Sequence, residues 1–367
     1  MRALLAAVLG LAAVAAHTAS PVPKMQTLYV PRPHGPIAAF AQDGPLVAWF
    51  APGKPCNKVH VLSLANALQV QLPTQGTAHN VTCKWDVRST VGLALAGTSV
   101  LWTLRESAPI PFDYLIGAAA RPSAADQKER RFQEVAHTKR GSGLWLGGIA
   151  GDNATLVYAV TSVDYEDEAG CLAGTGSCDL KVAGGGVYRV VGRQLPELVP
   201  GTGPAVGVAA SGGRVAYVPA STAGKDGRPV ADPRIDVVDT RTGAAISEIT
   251  PAGAPVALAF APHVLATLER TPLGLRLAWY DPATGAPSGS VPVAHAASPE
   301  LTASDQLVVF HVGRALRAVD VATHQVRTIG RSAALPIGLS LEGGRLAWAD
   351  NVNGTGRIRA LYIRGHG

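Results

Sequence analysis

A strand–turn–strand phrase repeated seven times, a composition crowded with Gly and apolar residues, and the lack of a long amphipathic helix together predict an all-β chain. The expected architecture is a β-propeller of seven four-stranded blades, with six or eight blades as alternatives. Hydrophobic residues make up 47% of the 367 positions and charged residues 16%, enough apolar material for a large core. The 41 Gly and 27 Pro separate short apolar runs instead of forming a low-complexity tract, as turns between strands do.

The chain begins MRALLAAVLGLAAVAAHTASPVP. Arg2 precedes an apolar run from Ala3 to Ala16 that ends in the small residues Val14-Ala15-Ala16. This pattern predicts a secretory signal over residues 1–16 and a linker over 17–25, with one propeller domain over 26–367. The run falls short of the roughly 20 residues a membrane span requires, so no span is expected once the signal is cleaved; the alternative is an uncleaved N-terminal anchor. Location outside the cell or in its envelope follows.

Next comes an unmatched strand, QTLYVPR (Gln26–Arg32). The seven copies then run GPIAAFAQDGPLVAWF (Gly35–Phe50), TVGLALAGTSVLWTL (Thr90–Leu104), LGGIAGDNATLVYAV (Leu146–Val160) and AVGVAASGGRVAYVP (Ala205–Pro219), followed by PVALAFAPHVLATLE (Pro255–Glu269), SPELTASDQLVVFHV (Ser298–Val312) and PIGLSLEGGRLAWAD (Pro336–Asp350). The aromatic is Trp49, Trp102, Tyr158, Tyr217, Phe310 or Trp348, with Thr267 in the fifth copy. The intervals of 53, 56, 59, 50, 43 and 38 residues bracket the ~40–50 residues of a four-stranded blade. A third strand follows each phrase, and then often a D-x-x-T-G turn, such as Asp239–Gly243 or Asp281–Gly285, into a fourth. Asp there accepts from backbone two residues on, and Gly takes positive φ. The last copy offers three strands only, so Gln26–Arg32 is expected to supply its fourth and close the ring, which removes an open edge.

Two stretches interrupt the repeat. Ala108–Arg140 reads as an insertion in the second blade, with PSAADQKERRFQEV (Pro122–Val135) as its best helical candidate. Val163–Gly186 reads as a long polar loop holding VDYEDEAG and CLAGTGSC. Long loops on a rigid scaffold commonly carry function, so a binding surface is sought there. Asp164, Glu166, Asp167 and Glu168 are oxygen ligands that Ca²⁺ would accept, without the spacing of an EF-hand; the alternative is a solvated loop. Four Cys allow three pairings, of which Cys56–Cys83 with Cys171–Cys178 is the local one and fits an exported chain. No C-x-x-C supports a Cys metal site.

This organisation resembles the extracellular seven-bladed β-propellers grouped with the WD40-like and TolB-like families. The resemblance covers nearly the whole chain after the signal and is architectural: the W-D dipeptide and the GH signature are absent. The Ala-, Arg- and Gly-rich composition fits a bacterial source.

The chain carries no G-x-S-x-G elbow, no H-E-x-x-H, no phosphate loop and no G-x-G-x-x-G; GTGPAVG (Gly201–Gly207) reads as a turn between blades. No catalytic, cofactor or metal residue is therefore assigned. His60, His263, His295 and His311 fall in or beside strands, where hydrogen-bonded or surface roles are common. The net charge of +6 is scattered, so no nucleic-acid partner is expected. The reading is a monomeric, non-catalytic binding module for a protein, peptide or surface polymer. The alternative is a propeller enzyme, a hydrolase, lyase or quinone-type dehydrogenase, with a composite site at the central channel.

Overall fold

The computed structural model describes residues 25–363 apart from 33, 53–57, 73–86, 107–111, 120–129, 137–141, 154, 192–193 and 295–296. The expected signal and linker (but for Met25) and the pair Cys56–Cys83 lie outside the described residues. Seven antiparallel sheets follow one another around a ring. Blade 1 comprises Ala39–Asp43, Leu46–Ala51, Lys58–Ser63 and Gln69–Leu72. Blade 2 comprises Val87–Ala96, Ser99–Glu106, Phe112–Ala119 and Arg130–Ala136, and blade 3 Gly143–Asp152, Thr155–Tyr165, Leu180–Val190 and Glu197–Leu198. Blade 4 comprises Ala205–Ser211, Arg214–Ala223, Ile235–Asp239 and Ala245–Ile249, with Pro229–Ala231 added to its second strand. Blade 5 comprises Ala254–Phe260, Leu265–Thr271, Gly274–Tyr280 and Pro287–Val293, and blade 6 Ala297–Ala303, Leu307–Val312, Ala315–Asp320 and Val326–Arg331. Blade 7 comprises Ile337–Glu342, Arg345–Val352, Thr355–Tyr362 and, as its fourth strand, Gln26–Tyr29.

The apolar second strand of each phrase has a packing reason. Successive residues on a strand point to opposite faces, and each blade is sandwiched between two neighbours. In blade 1, Ala48 and Phe50 join the core shared with blade 2, while Val47 and Trp49 join the core shared with blade 7. Both faces are thus buried, and the strand reads as a continuous apolar run instead of an alternating one. The described residues form seven such clusters, one at each junction between blades. Trp49, Trp102, Tyr158 and Trp348 are essentially inaccessible within them.

The turns follow the expected chemistry. Gly212 and Gly213 (φ 55° and 81°), and Gly343 and Gly344 (φ 52° and 77°), take positive φ at both central positions, as two-residue hairpin turns require. The Asp239 carboxylate accepts the Thr242 N–H at 2.7 Å, and Gly243 lies at φ 71°. Asp320 repeats this with Thr323, and His324 stands at φ 60° where the other copies have Gly.

Ring closure rests on polar groups as well as the ladder. Gln26–Tyr29 pairs with Thr355–Tyr362. Arg359 donates to the fully buried Asp350 at 3.2 Å and to the Thr27 hydroxyl of the closing strand. Asp350 also accepts from Ser332 at 3.0 Å, and Ser332 in turn accepts the Trp348 indole N–H at 2.9 Å. On its other side the Tyr29 hydroxyl donates to Gln69 Oε1 at 2.6 Å, and the Gln69 amide reaches His60 Nδ1 at 2.9 Å. His60 stacks on Trp49 with 4.8 Å between centroids, and burial holds its pKa down to about 4. The closing strand thus ties blade 7 to blade 1.

The fifth copy has a buried polar pair where the other copies have an aromatic. Glu269, two residues after Thr267, is fully buried at the position Asp350 holds in blade 7. It accepts from the Thr267 and Tyr280 hydroxyls, both at 2.7 Å.

Three expectations are corrected. Ala108–Arg140 is not an insertion: it supplies Phe112–Ala119 and Arg130–Ala136, two of the four strands of blade 2. The helix proposed over Pro122–Val135 gives way to a strand from Arg130, because pairing with Phe112–Ala119 satisfies its backbone groups. Val163–Gly186 is not mainly loop: the second strand of blade 3 continues to Tyr165 and the third starts at Leu180, so a hairpin projects with only residues 166–179 at its tip.

Candidate functional site

The innermost strand of every blade runs along the central channel in the same direction, so the channel has two chemically distinct mouths. One mouth gathers the turns that end the innermost strands. The other gathers the strand starts and, because neighbouring strands are antiparallel, the hairpins joining second to third strands.

At the first mouth polar groups lace the blades together. Asp43 of blade 1 is 8% exposed and accepts the backbone N–H groups of Gly97 in blade 2 and Asn153 in blade 3. Asp152 accepts the Gly212 N–H of blade 4 at 2.9 Å, and Asp305 of blade 6 the His263 N–H of blade 5 at 2.8 Å. Arg345 of blade 7 donates to the Gly44 carbonyl of blade 1 at 3.1 Å. Burial holds the carboxyls of Asp43 and Glu342 above the usual carboxylate range. The cavity here, about 280 Å³, is lined by these carboxylates with Gln42, Thr302 and Ser340.

The second mouth is wider and apolar. A cavity of about 520 Å³ is lined by Gly92, Gly148, Gly207, Val256 and Leu258, with Thr103 and Glu300 as polar groups. That size falls within the range of pockets that hold small ligands. A β-bulge recurs here in the innermost strand of six blades, for example between Thr90 and Gly92 and between Ala205 and Gly207. Such bulges re-aim side chains at the rims of closed sheets. The cross-strand partner of the aromatic position fixes the alignment: it is Phe40, Leu93, Ile149, Val208, Leu258, Leu301 or Leu339. The residue preceding it is Ala39, Gly92, Gly148, Gly207, Ala257, Glu300 or Gly338. Only blade 6 carries a charged side chain there. Behind Glu300 stands His311, 4% exposed, whose Nε2 lies 3.6 Å from Glu300 Oε2 while Nδ1–H donates to the Gly313 carbonyl at 2.8 Å.

The hairpins of this mouth differ in length. That of blade 3 extends beyond the ring and ends in Glu168–Ala173, a short helix capped by Asp167, which accepts the Gly170 N–H at 2.8 Å. The Cys171–Cys178 disulfide pins the tip, with Cα atoms 4.8 Å apart. Asp164, Glu166, Asp167 and Glu168 are exposed, and among the described residues no group of three or more His, Cys, Asp or Glu is placed to hold a metal. Beside it, blade 4 projects Arg214–Ala223 and Pro229–Ala231, an extension the sequence reading missed; its trace is the turn sequence AGKDGR within a 50-residue interval. Leu172, Val230 and Leu273, on blades 3, 4 and 5, are exposed to 68%, 47% and 98% on this same side. Glu300 was also missed, since its only sequence cue is a departure from Gly or Ala at one repeat position. Of the histidines, His60 and His311 are buried in separate blades, His263 is exposed, and His295 lies outside the described residues. No described helix is long and apolar enough to cross a membrane.

No family model matches the chain, and no curated protein matches it. Solved structures do. A chain of the Mitotic Checkpoint Complex matches over 99% of both chains at 11% identity and a TM-score of 0.53. The β-propeller domain of the Trilobed protease from Pyrococcus furiosus, described as having an open velcro topology, matches over 89% of this chain and 95% of that one, at 8% identity and a TM-score of 0.50. At these identities the likeness is one of fold.

Proposed function

We propose that this protein is an exported binding module, a propeller that engages a protein, peptide or cell-surface ligand with the face carrying the wide mouth. Residues 1–16 are its signal, 17–25 a linker and 26–367 one domain, and it works outside the cell or in the envelope. The observation that carries the reading is the asymmetry between the two faces. At one, the carboxylates are used in holding turns together. At the other, a 520 Å³ cavity, two projecting hairpins and the exposed Leu172, Val230 and Leu273 have no evident duty in the ring. Exposed apolar side chains grouped on one surface mark interaction sites. Rigid scaffolds with long rim elements are suited to recognition.

The test is cross-linking in the producing cell with full-length protein and with a variant in which residues 166–179 are replaced by a two-residue turn. The Tyr165–Leu180 pairing leaves the strand ends in register for such a turn. Loss of the cross-linked partner with an unchanged melting temperature supports the reading. Retention of the same partner at full yield by the shortened protein contradicts it.

A further inference from the structure

We propose that the wide cavity is a receptor for a single cationic side chain, the ammonium or guanidinium of a Lys or Arg presented by a basic segment of the partner. This rests on the reading of that face as the binding face, and it names the chemistry recognised there.

Three observations converge. First, the cavity is built mostly of glycine and aliphatic residues, Gly92, Gly148, Gly207, Val256 and Leu258 among them, and among the described residues Glu300 is the one charged side chain in its lining. An apolar chamber with one carboxylate suits a ligand with a methylene stem and a positive end, because Lys and Arg bury the stem along apolar surface and direct the charge to a partner. In such surroundings a charge-assisted hydrogen bond is stronger than a neutral one.

Second, the carboxylate departs from the repeat. Six blades place Gly or Ala at this point of the innermost strand, and blade 6 alone places Glu300. The other six blades assemble without a charge at this point of the strand. His311 stands behind Glu300 on the neighbouring strand, its Nε2 3.6 Å from Glu300 Oε2 and its ring anchored by the Gly313 carbonyl.

Third, charge complementarity extends beyond the cavity. The chain carries a net +6, yet the blade 3 hairpin on this side presents exposed Asp164, Glu166, Asp167, Glu168 and Asp179 against Lys181. That local excess of negative charge attracts a basic segment and steers its approach.

The experiment uses the full chain and three probes with short alkyl stems and cationic, neutral and anionic ends, n-butylguanidinium, n-butanol and n-butyrate, titrated against isotope-labelled protein. Butylguanidinium is expected to bind at millimolar concentration and to shift the amide resonances of Gly92, Gly148, Gly207 and Leu258, which line the cavity. Glu300→Ala, which restores the residue type of the other blades, and Glu300→Gln, which keeps the shape, are each expected to weaken it about tenfold or more, the loss of one charge-assisted hydrogen bond. Unchanged melting temperatures for both variants confirm that the ring is intact. Equal binding of butyrate and butylguanidinium overturns the proposal, as does full affinity in Glu300→Gln or shifts confined to the opposite mouth. Those outcomes leave the cross-linking result with the shortened hairpin standing, so failure of the cationic subsite and failure of the binding face are told apart.

Discussion

The two mouths of the channel are made from the same repeated strands and yet do different work. At the narrow mouth three carboxylates hold turns together: Asp43 holds turns of blades 2 and 3, Asp152 holds one of blade 4, and Asp305 holds one of blade 5. At the wide mouth the described lining is mostly small and apolar, and its one carboxylate among the described residues replaces a Gly or Ala. In a ring of near-equivalent blades, one end of the channel can thus be committed to stability while the other is released from it. A polar residue therefore means different things according to the end at which it stands.

The sharpest way to break this comparison is Asp43→Ala. It leaves two part-buried backbone N–H groups without their acceptor, and the expected loss is about 2–3 kcal/mol in denaturant unfolding, the lower end of roughly 1–3 kcal/mol for each group because water reaches them. Binding of butylguanidinium by the folded fraction should be unaffected. Next, one kind of substitution at both mouths should give opposite results. Gly97→Ala meets φ +52° and a contact of 2.8 Å to the Asn153 carbonyl oxygen, and should cost about 1–3 kcal/mol. Gly207→Ala meets nothing closer than Val218 Cγ2 at 3.8 Å, and should stay within about 0.5 kcal/mol of the parent. Equal losses in thermal melts of the two variants would remove the distinction.

A smaller effect concerns pH. Burial raises the Glu342 carboxyl, so the native chain binds its proton more tightly than the unfolded chain does. That contribution favours the fold at acid pH and is lost as pH rises from about the ordinary carboxylate value through the raised folded one. Glu342→Gln has no such proton to lose. Its stability relative to the parent should therefore increase between pH 4 and pH 7, and a signed difference, variant minus parent, that stays constant or falls would show that the narrow mouth does not disfavour ionisation there.

Much of the fold was legible because the repeat records packing directly. Seven apolar second strands announce seven blades buried on both faces, and the Gly pairs at 212–213 and 343–344 announce positive-φ turns. Even the missing fourth strand of blade 7 pointed to the chain start, and Gln26–Tyr29 fills it. Blade 2 was misread because Arg130–Ala136 has a charged composition that suits a helix as well as an outer strand, and only its partner Phe112–Ala119 decides between them. The site was harder to see. Glu300 becomes conspicuous only once the register aligns it with six Gly or Ala residues, and the bulges that set this alignment follow from no single residue. Thr267 drew attention as a missing aromatic, but its hydrogen bond to the buried Glu269 became visible only with the two side chains in contact.

The division of labour between the mouths is tested most directly by measuring butylguanidinium affinity and unfolding free energy together for Asp43→Ala and Glu300→Ala. The account predicts a crossed result: Asp43→Ala loses stability and keeps its affinity, while Glu300→Ala keeps its stability and loses affinity. Glu300→Ala unfolding as readily as Asp43→Ala, with probe affinity the same in both folded proteins, would contradict it.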